Sequence, residues 1–150
     1  MLISEKVNIR PAEVKDAKDI AETECLTLGA EGWSENGITE TLNRNGHYFV
    51  AEVNGKVVGH GGFTTVLDEG DVTNIAVRPE FRQKGLASKI LEAMITFARE
   101  KNLSFLTLEV RSQNIPAISL YEKYGFTVRG ERKNFYRDPQ DNAKIMTLDF

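Results

Sequence analysis

The sequence predicts a mixed α/β or α+β protein, with a central mixed and mostly antiparallel sheet of about seven strands flanked by about four helices. A strand, loop and helix unit spans Asp71–Lys101, and the β-rich run Ser104–Val110 follows that helix. Asn54-Gly55 separates two further β-rich runs and is typical of a hairpin, because both residues tolerate positive φ. The 150 residues are 41% hydrophobic and 27% charged, so we expect one soluble domain over residues 1–150.

The amino-terminal half is predicted to contain two helices and three strands. Apolar spacing and β-rich runs predict the strand Val7–Ile9, the helix Glu13–Leu28, a short helix from the N-cap Ser34 to Leu42, and the strands His47–Val53 and Lys56–Leu67. Arg10-Pro11 is expected to end the first strand and Gly29 the first helix. The turn Asp68-Glu69-Gly70 leads into the next strand, and Cys25 is expected to be buried within the first helix.

The carboxyl-terminal half starts with the strand Val72–Val77, which Arg78-Pro79 stops. A helix follows the loop Arg82–Ser88 and carries Leu86, Ile90, Met94 and Ala98 on one face. The remaining elements are the strand Ser104–Val110, the helix Ile115–Lys123, closed by Gly125, and the strands Thr127–Phe135 and Lys144–Asp149. The predicted order is β-α-α-β-β-β-α-β-α-β-β.

Composition and charge exclude several classes of function. A net charge of −3 argues against a general nucleic-acid binder. One cysteine excludes an internal disulfide and a cysteine-based metal site, and with only two histidines we expect no metal. The sequence contains no apolar run long enough to span a bilayer, and its first ten residues lack the apolar core of a signal peptide. We therefore expect a cytoplasmic protein without membrane partners.

The loop Arg82–Ser88 is the first candidate site. It lies between an apolar strand and an amphipathic helix, whose amino terminus presents unpaired N–H groups and a partial positive charge. Gly85 lets a ligand approach the main chain, and Arg82 and Lys84 add full charges. Such a loop can bind a pyrophosphate, although by itself it also fits an ordinary strand-to-helix turn with a basic surface.

Two further residues have side chains suited to proton transfer. Strand alternation puts Glu109 on the face opposite Leu108 and Val110. This carboxylate fits either a general base whose pKa is raised by partial burial, or a solvated residue paired with Arg111. Tyr121 lies at helical spacing and fits either a core aromatic or a proton donor to a leaving group.

Together these blocks resemble the GNAT superfamily of acetyl-CoA-dependent N-acetyltransferases, over nearly the whole chain. The matching segments are Asn74–Pro79, Arg82–Ala87, Leu108–Arg111 and Asn114–Phe126. Within the superfamily, Gly32–Glu35 and Asn134–Tyr136 also resemble enzymes that acetylate the N-terminal alanine of a ribosomal protein. The chain departs from that pattern at Gln113, Gly32 and Phe135, among other positions.

The resemblance implies acetyl-CoA as cosubstrate and a set of residues to bind it. The acetyl and pantetheine groups would contact the main chain of Ile75, Ala76 and Val77, and Asn114 would contact the pantetheine arm. The pyrophosphate would be bound by the loop residues Arg82, Gln83, Lys84, Gly85, Leu86, Ala87 and Ser88. The loop has Ala87 where the family often has a second glycine.

The resemblance also implies Glu109 as general base, Tyr121 as general acid, and Trp33 and Tyr136 as substrate-binding residues. The expected acceptor is a protein or peptide N-terminus, such as that of a ribosomal protein. Two alternatives remain at this point: an acetyltransferase acting on a small amine such as a polyamine or amino-sugar, and a non-catalytic acyl-CoA-binding module.

Overall fold

The computed structural model of the protein describes residues 6–150. Residues 1–5, part of the segment in which no signal peptide is expected, lie outside the described residues. The helices are α1 (Ala17–Leu28), α2 (Glu35–Arg44), α3 (Leu86–Glu100) and α4 (Ile115–Lys123). The strands are β1 (Val7–Pro11), β2 (Gly46–Val53), β3 (Lys56–Val66), β4 (Glu69–Val77), β5 (Phe105–Arg111), β6 (Thr127–Tyr136) and β7 (Asp141–Asp149).

The seven strands form a mixed sheet in the order β1-β2-β3-β4-β5-β7-β6. β1 and β2 are antiparallel, and so are β2 and β3, β5 and β7, and β6 and β7. β4 and β5 are parallel, with Glu69 opposite Phe105 and Asp71 opposite Thr107. A helix connects these two strands, as parallel neighbours require. The predicted mixed sheet and its element order are therefore confirmed.

The chain divides into two compact units. One comprises residues up to Thr65 together with Thr73–Phe97, and the other comprises Val66–Val72 and Ala98–Phe150. β4 and α3 each contribute to both units. The single domain expected from the sequence stays a prediction.

The core of the first unit joins α1 and α2 to β2 and β3. Its buried cluster consists of Ala17, Ile20, Ile38, Val50 and Val57. Elsewhere in this unit α3 lies close to β3, because a Cβ at Gly61 would lie only 2.7 Å from Ile90 Cγ2. A side chain at this position would push helix and strand apart, so the glycine allows the close packing of α3 on β3.

The second unit is organised around β7. This strand pairs with β5 from Asp149 opposite Phe105 to Ala143 opposite Arg111, and with β6 on its other edge. Leu106, Phe126 and Met146 are fully buried there. Asn114 caps α4, since its side-chain oxygen accepts a hydrogen bond from Ala117 N–H at 3.3 Å.

Three local expectations are wrong. Arg10 and Pro11 belong to β1, where Pro11 lies opposite Phe49; β1 is an edge strand, which tolerates proline. Glu69 and Gly70 belong to β4, and the preceding turn is formed by Leu67, at φ 55°, and Asp68. Cys25 is exposed, because the buried face of α1 runs through Ala17, Ile20, Thr23 and Glu24. Among residues 6–150, no helix has the length and apolarity needed to cross a membrane.

Candidate active site

The loop predicted to bind a pyrophosphate lies in the first unit and leads directly into α3. Gln83 and Gly85 both adopt positive φ, at 62° and 78°. The Nε of Arg82 donates a hydrogen bond to the carbonyl of Val77 at 3.1 Å, which ties the loop to the end of β4. The first intrahelical bond runs from Lys89 N–H to the carbonyl of Gly85 at 3.2 Å. The N–H groups of the first turn of this 15-residue helix are therefore oriented as an anion site requires.

Glu109 lies on β5 in the second unit, on the strand face opposite the buried Leu108 and Val110. Its carboxylate pairs with Arg132 of β6 at 2.6 Å, and 34% of its side chain remains accessible. The sequence suggested Arg111 as a partner. Arg132 is the observed partner instead. Because β7 pairs with both β5 and β6, residues of β5 and β6 such as Glu109 and Arg132 come close together across β7.

Asp71 is a second carboxylate near Glu109 that the sequence analysis did not consider. It lies opposite Thr107 in the parallel β4–β5 pair. Thr107 precedes Glu109 by two residues along β5. Burial raises the pKa of the Asp71 carboxyl, and the negative charge of Glu109 raises it further. The second unit therefore presents two interacting carboxylates, with Arg132 paired to one of them.

Tyr121 lies on α4 and is buried, with 7% of its surface accessible. Its ring packs against Phe126 at a centroid distance of 5.5 Å. Burial raises the pKa of Tyr121 above its ordinary value, and the nearby Tyr136 raises it further. Tyr121 is therefore a core aromatic, as one of the two interpretations of the sequence expects, and the proton-donor role stays a prediction.

Tyr136 lies at the end of β6, where Arg111 supports it. The guanidinium of Arg111 lies 4.4 Å from the centre of the Tyr136 ring. The same guanidinium donates hydrogen bonds to the carbonyls of Pro139 and Arg137, at 2.7 and 3.1 Å. Arg111 thus connects the Glu-Val-Arg segment of β5 to the loop between β6 and β7.

Trp33 lies in the first unit, between α1 and α2, and is 38% accessible. The main-chain N–H of Trp33 donates a hydrogen bond to Oε1 of Glu24 at 2.7 Å, and Oε2 of Glu24 lies 2.9 Å from Nε2 of His60. Glu24 falls within the predicted helix Glu13–Leu28, and neither it nor His60 was assigned a role from the sequence. An acidic residue on the apolar face of a helix is the signal that could have identified this pair.

The predicted site residues are distributed over both units. The cofactor segments Ile75–Val77 and Arg82–Ser88 and the residue Trp33 belong to the first unit, and Glu109, Asn114, Tyr121 and Tyr136 belong to the second. Asn114 is the helix cap described above, so its side chain already accepts one hydrogen bond. Within residues 6–150, no three or more His, Cys, Asp or Glu side chains are grouped so that they could bind a metal ion.

Known proteins share both the sequence pattern and the fold. A protein of Bacillus subtilis (strain 168), provisionally named a [ribosomal protein bS18]-alanine N-acetyltransferase, is 34% identical over 143 residues, which cover 94% of each chain. The Escherichia coli (strain K12) [ribosomal protein bS18]-alanine N-acetyltransferase is 36% identical over 118 residues, 77% of this chain and 80% of the relative. An N-alpha-acetyltransferase of Saccharolobus solfataricus is 35% identical over 147 residues, 89% of this chain and 87% of the relative.

The solved structures agree with the sequence relatives. The crystal structure of the ribosomal-protein-S18-alanine N-acetyltransferase from Escherichia coli superposes with a TM-score of 0.88 and 32% identity, over 96% of this chain and 94% of that one. The family model described as Acetyltransferase (GNAT) family matches residues 13–126. The chain therefore belongs to the GNAT family of acetyltransferases.

Proposed function

We propose that the protein transfers an acetyl group from acetyl-CoA to the N-terminal α-amine of a protein, with the N-terminal alanine of a ribosomal protein as the favoured acceptor. The observation that carries the proposal is the presence, in the same unit, of an accessible carboxylate on β5 and a buried, protonated phenol on α4. Relatives named alanine N-acetyltransferases, at 34% and 36% identity, support the choice of acceptor.

The loop Arg82–Ser88 fits the diphosphate of acetyl-CoA. Gly85 adopts a positive φ without steric strain because it has no Cβ. Arg82 and Lys84 supply cationic side chains. The main chain of Ile75–Val77 and the side chain of Asn114 would bind the pantetheine and acetyl groups. Bound acetyl-CoA supplies an activated acetyl group on a thioester whose thiolate is a good leaving group.

Glu109 would act as the general base. An α-amine has a pKa of about 7.7–8.0, so a large part of it is protonated and not nucleophilic at neutral pH. The carboxylate of Glu109 takes this proton, and the neighbouring Asp71 adds negative charge that favours a cationic acceptor. An N–H of Ile75–Val77 would donate to the thioester oxygen as negative charge develops there.

Tyr121 would act as the general acid and donate its phenolic proton to the departing sulfur. Because burial and Tyr136 raise its pKa, the phenol is protonated throughout the neutral range. This property suits a residue that must hold a proton until the C–S bond breaks. Trp33 and Tyr136 would bind the amino-terminal residues of the acceptor.

The test measures thiol release from acetyl-CoA with an alanine-initiated peptide, a polyamine and an amino-sugar as acceptors. We expect the peptide to give the highest kcat/KM. Glu109→Gln and Tyr121→Phe should each lower kcat by about 10²–10⁴-fold with little change in the KM for acetyl-CoA. Glu131→Gln and Tyr124→Phe change a carboxylate and a phenol of the same unit and should leave kcat unchanged.

Two results would contradict the proposal. Full turnover in both Glu109→Gln and Tyr121→Phe would remove the assigned proton transfers. A polyamine or amino-sugar acetylated faster than every peptide would assign the protein to small-molecule acetylation.

A further inference from the structure

A buried carboxylate and imidazole in the first unit have no role in the proposed chemistry. Glu24 of α1 and His60 of β3 are both 0% accessible. The Oε2 of Glu24 lies 2.9 Å from the Nε2 of His60, and the two residues are 36 positions apart in the chain. A buried charge is costly unless it is well paired. The cost of keeping this pair out of water raises the question of what it holds in place.

Glu24 holds the segment that follows α1. Its Oε1 accepts a hydrogen bond from the main-chain N–H of Trp33 at 2.7 Å. Gly32 lies directly against Glu24, since a Cβ at Gly32 would lie 2.9 Å from the carbonyl oxygen of Glu24 and 3.0 Å from its Cβ. The main chain at residues 32 and 33 therefore contacts both the side chain and the backbone of Glu24, in addition to the hydrogen bond from Gly32 N–H to the carbonyl of Gly29 at 3.1 Å.

His60 fixes the orientation of Glu24 in turn. The Oε2 of Glu24 and the Nε2 of His60 share one hydrogen bond, which fixes the carboxyl group relative to the imidazole ring. The Nδ1 of His60 is buried and has no hydrogen-bond partner among the described residues. The ring of His60 stacks on Tyr48 at a centroid distance of 6.5 Å and an angle of 26°. With one oxygen bound to Trp33 and the other to His60, the Glu24 side chain cannot rotate without losing a hydrogen bond.

We infer that Glu24 and His60 are positioning residues for acceptor binding: His60 orients Glu24, and Glu24 holds the main chain of Trp33 in its binding conformation. This inference rests on the proposed function, in which Trp33 contacts the acceptor. A segment that is already ordered loses less conformational entropy when the acceptor binds. The pair should therefore lower the KM for the acceptor and leave the KM for acetyl-CoA unchanged.

The first test reads the segment without any activity measurement. Trp33 is the sole tryptophan of the chain, so its fluorescence and its quenching by acrylamide report on this segment alone. Glu24→Ala and His60→Phe should increase quenching in the folded protein, as followed by circular dichroism. Glu24→Gln and His60→Gln each keep a hydrogen-bonding group at the same place and should restore most of the wild-type quenching. Ile20→Val, which changes a buried core residue of the same helix, should lower the unfolding temperature and leave the quenching of Trp33 unchanged.

The second test compares kinetic constants of the same variants. The KM for an alanine-initiated peptide should rise about tenfold in Glu24→Ala and His60→Phe, which corresponds to the loss of one hydrogen bond. Wild-type quenching and wild-type peptide KM in both variants would overturn the inference. So would an equal effect of Ile20→Val, because the pair would then act through general stability. A wild-type protein that acetylates no acceptor would refute the proposed function, whereas the quenching comparison would still decide whether Glu24 holds Trp33.

Discussion

Asp16 offers a quantitative test of how α1 is attached to the sheet. The carboxylate is 3% accessible and accepts hydrogen bonds from both terminal nitrogens of Arg10, at 2.8 and 2.9 Å. It accepts a third from the N–H of Glu13 at 2.7 Å. Arg10 also donates to Glu52 of β2 at 3.0 Å, so the network joins β1, β2 and the start of α1.

Asp16→Asn keeps the size of the side chain but replaces one acceptor oxygen with a donor that faces a guanidinium. A hydrogen bond to a charged group contributes about 1.5–3 kcal/mol. Because the Arg10 side chain is 20% accessible and keeps Glu52 as a partner, we expect a loss near the middle of that range, about 2 kcal/mol in the free energy of unfolding. Urea unfolding followed by circular dichroism at pH 7 measures it.

Glu13→Gln is the matched control. The Glu13 carboxylate lies 3.8 Å from Arg10 and its side chain is 63% accessible, so its removal should cost less than about 1 kcal/mol. The reasoning would be refuted if Asp16→Asn were as stable as the wild type, or if the control lost as much stability as Asp16→Asn.

The pH dependence of stability has a defined sign. Hydrogen bonds from Arg10 hold the pKa of the Asp16 carboxyl below its ordinary value. The stabilisation is therefore complete above the unfolded-state pKa of about 3.9 and is lost as the pH falls through the lower, folded-state pKa. We expect the difference between wild type and Asp16→Asn to shrink only below about pH 4. A difference that already vanishes at neutral pH would contradict this account.

Two further predictions concern packing and the β6–β7 loop. Gly61→Ala places a Cβ 2.7 Å from Ile90 Cγ2 and should cost about 1–3 kcal/mol in thermal unfolding, whereas Gly130→Ala, with its nearest contact at 3.7 Å, should be close to neutral. Arg111→Met removes hydrogen bonds of 2.7 and 3.1 Å to two loop carbonyls and the cation 4.4 Å from the Tyr136 ring. Exchange of the amide protons of Arg137, Asp138 and Gln140 should accelerate about tenfold, which corresponds to a loss of about 1.4 kcal/mol in the free energy of opening the loop; unchanged exchange would show that Arg111 does not hold the loop.

Local patterns were sufficient to predict the helices and strands. The apolar spacing of α3, the Asn54-Gly55 hairpin and the strand β5 each depend on residues close in sequence, and each was confirmed. The turn before β4 was placed too late, because Glu69-Gly70 has the composition of a turn but pairs with β5. Strand pairing across a long sequence separation overrode the local preference there.

The side-chain partners could not be predicted, because they depend on register. Arg132 reaches Glu109 only because β7 lies between β5 and β6. His60 meets Glu24 across 36 residues, and no spacing rule connects a helix residue with a strand residue so far away. Burial within a helix is also hard to predict from periodicity alone. Cys25 was expected to be buried, but it follows the buried Glu24, and a shift of one residue turns the side chain by about 100° and exposes it.

The ion pair between Glu109 and Arg132 has a consequence for acceptor choice. Arg132 is 60% accessible and its guanidinium occupies the carboxylate to which an incoming ammonium would bind. In the mechanism proposed above, acceptor binding at Glu109 would exchange one cation for another, and a free arginine or guanidinium ion should act as a competitive inhibitor. An acceptor that carries an acidic residue after its amino terminus would offer Arg132 a new partner as it leaves Glu109, and would be favoured over one with a basic residue there.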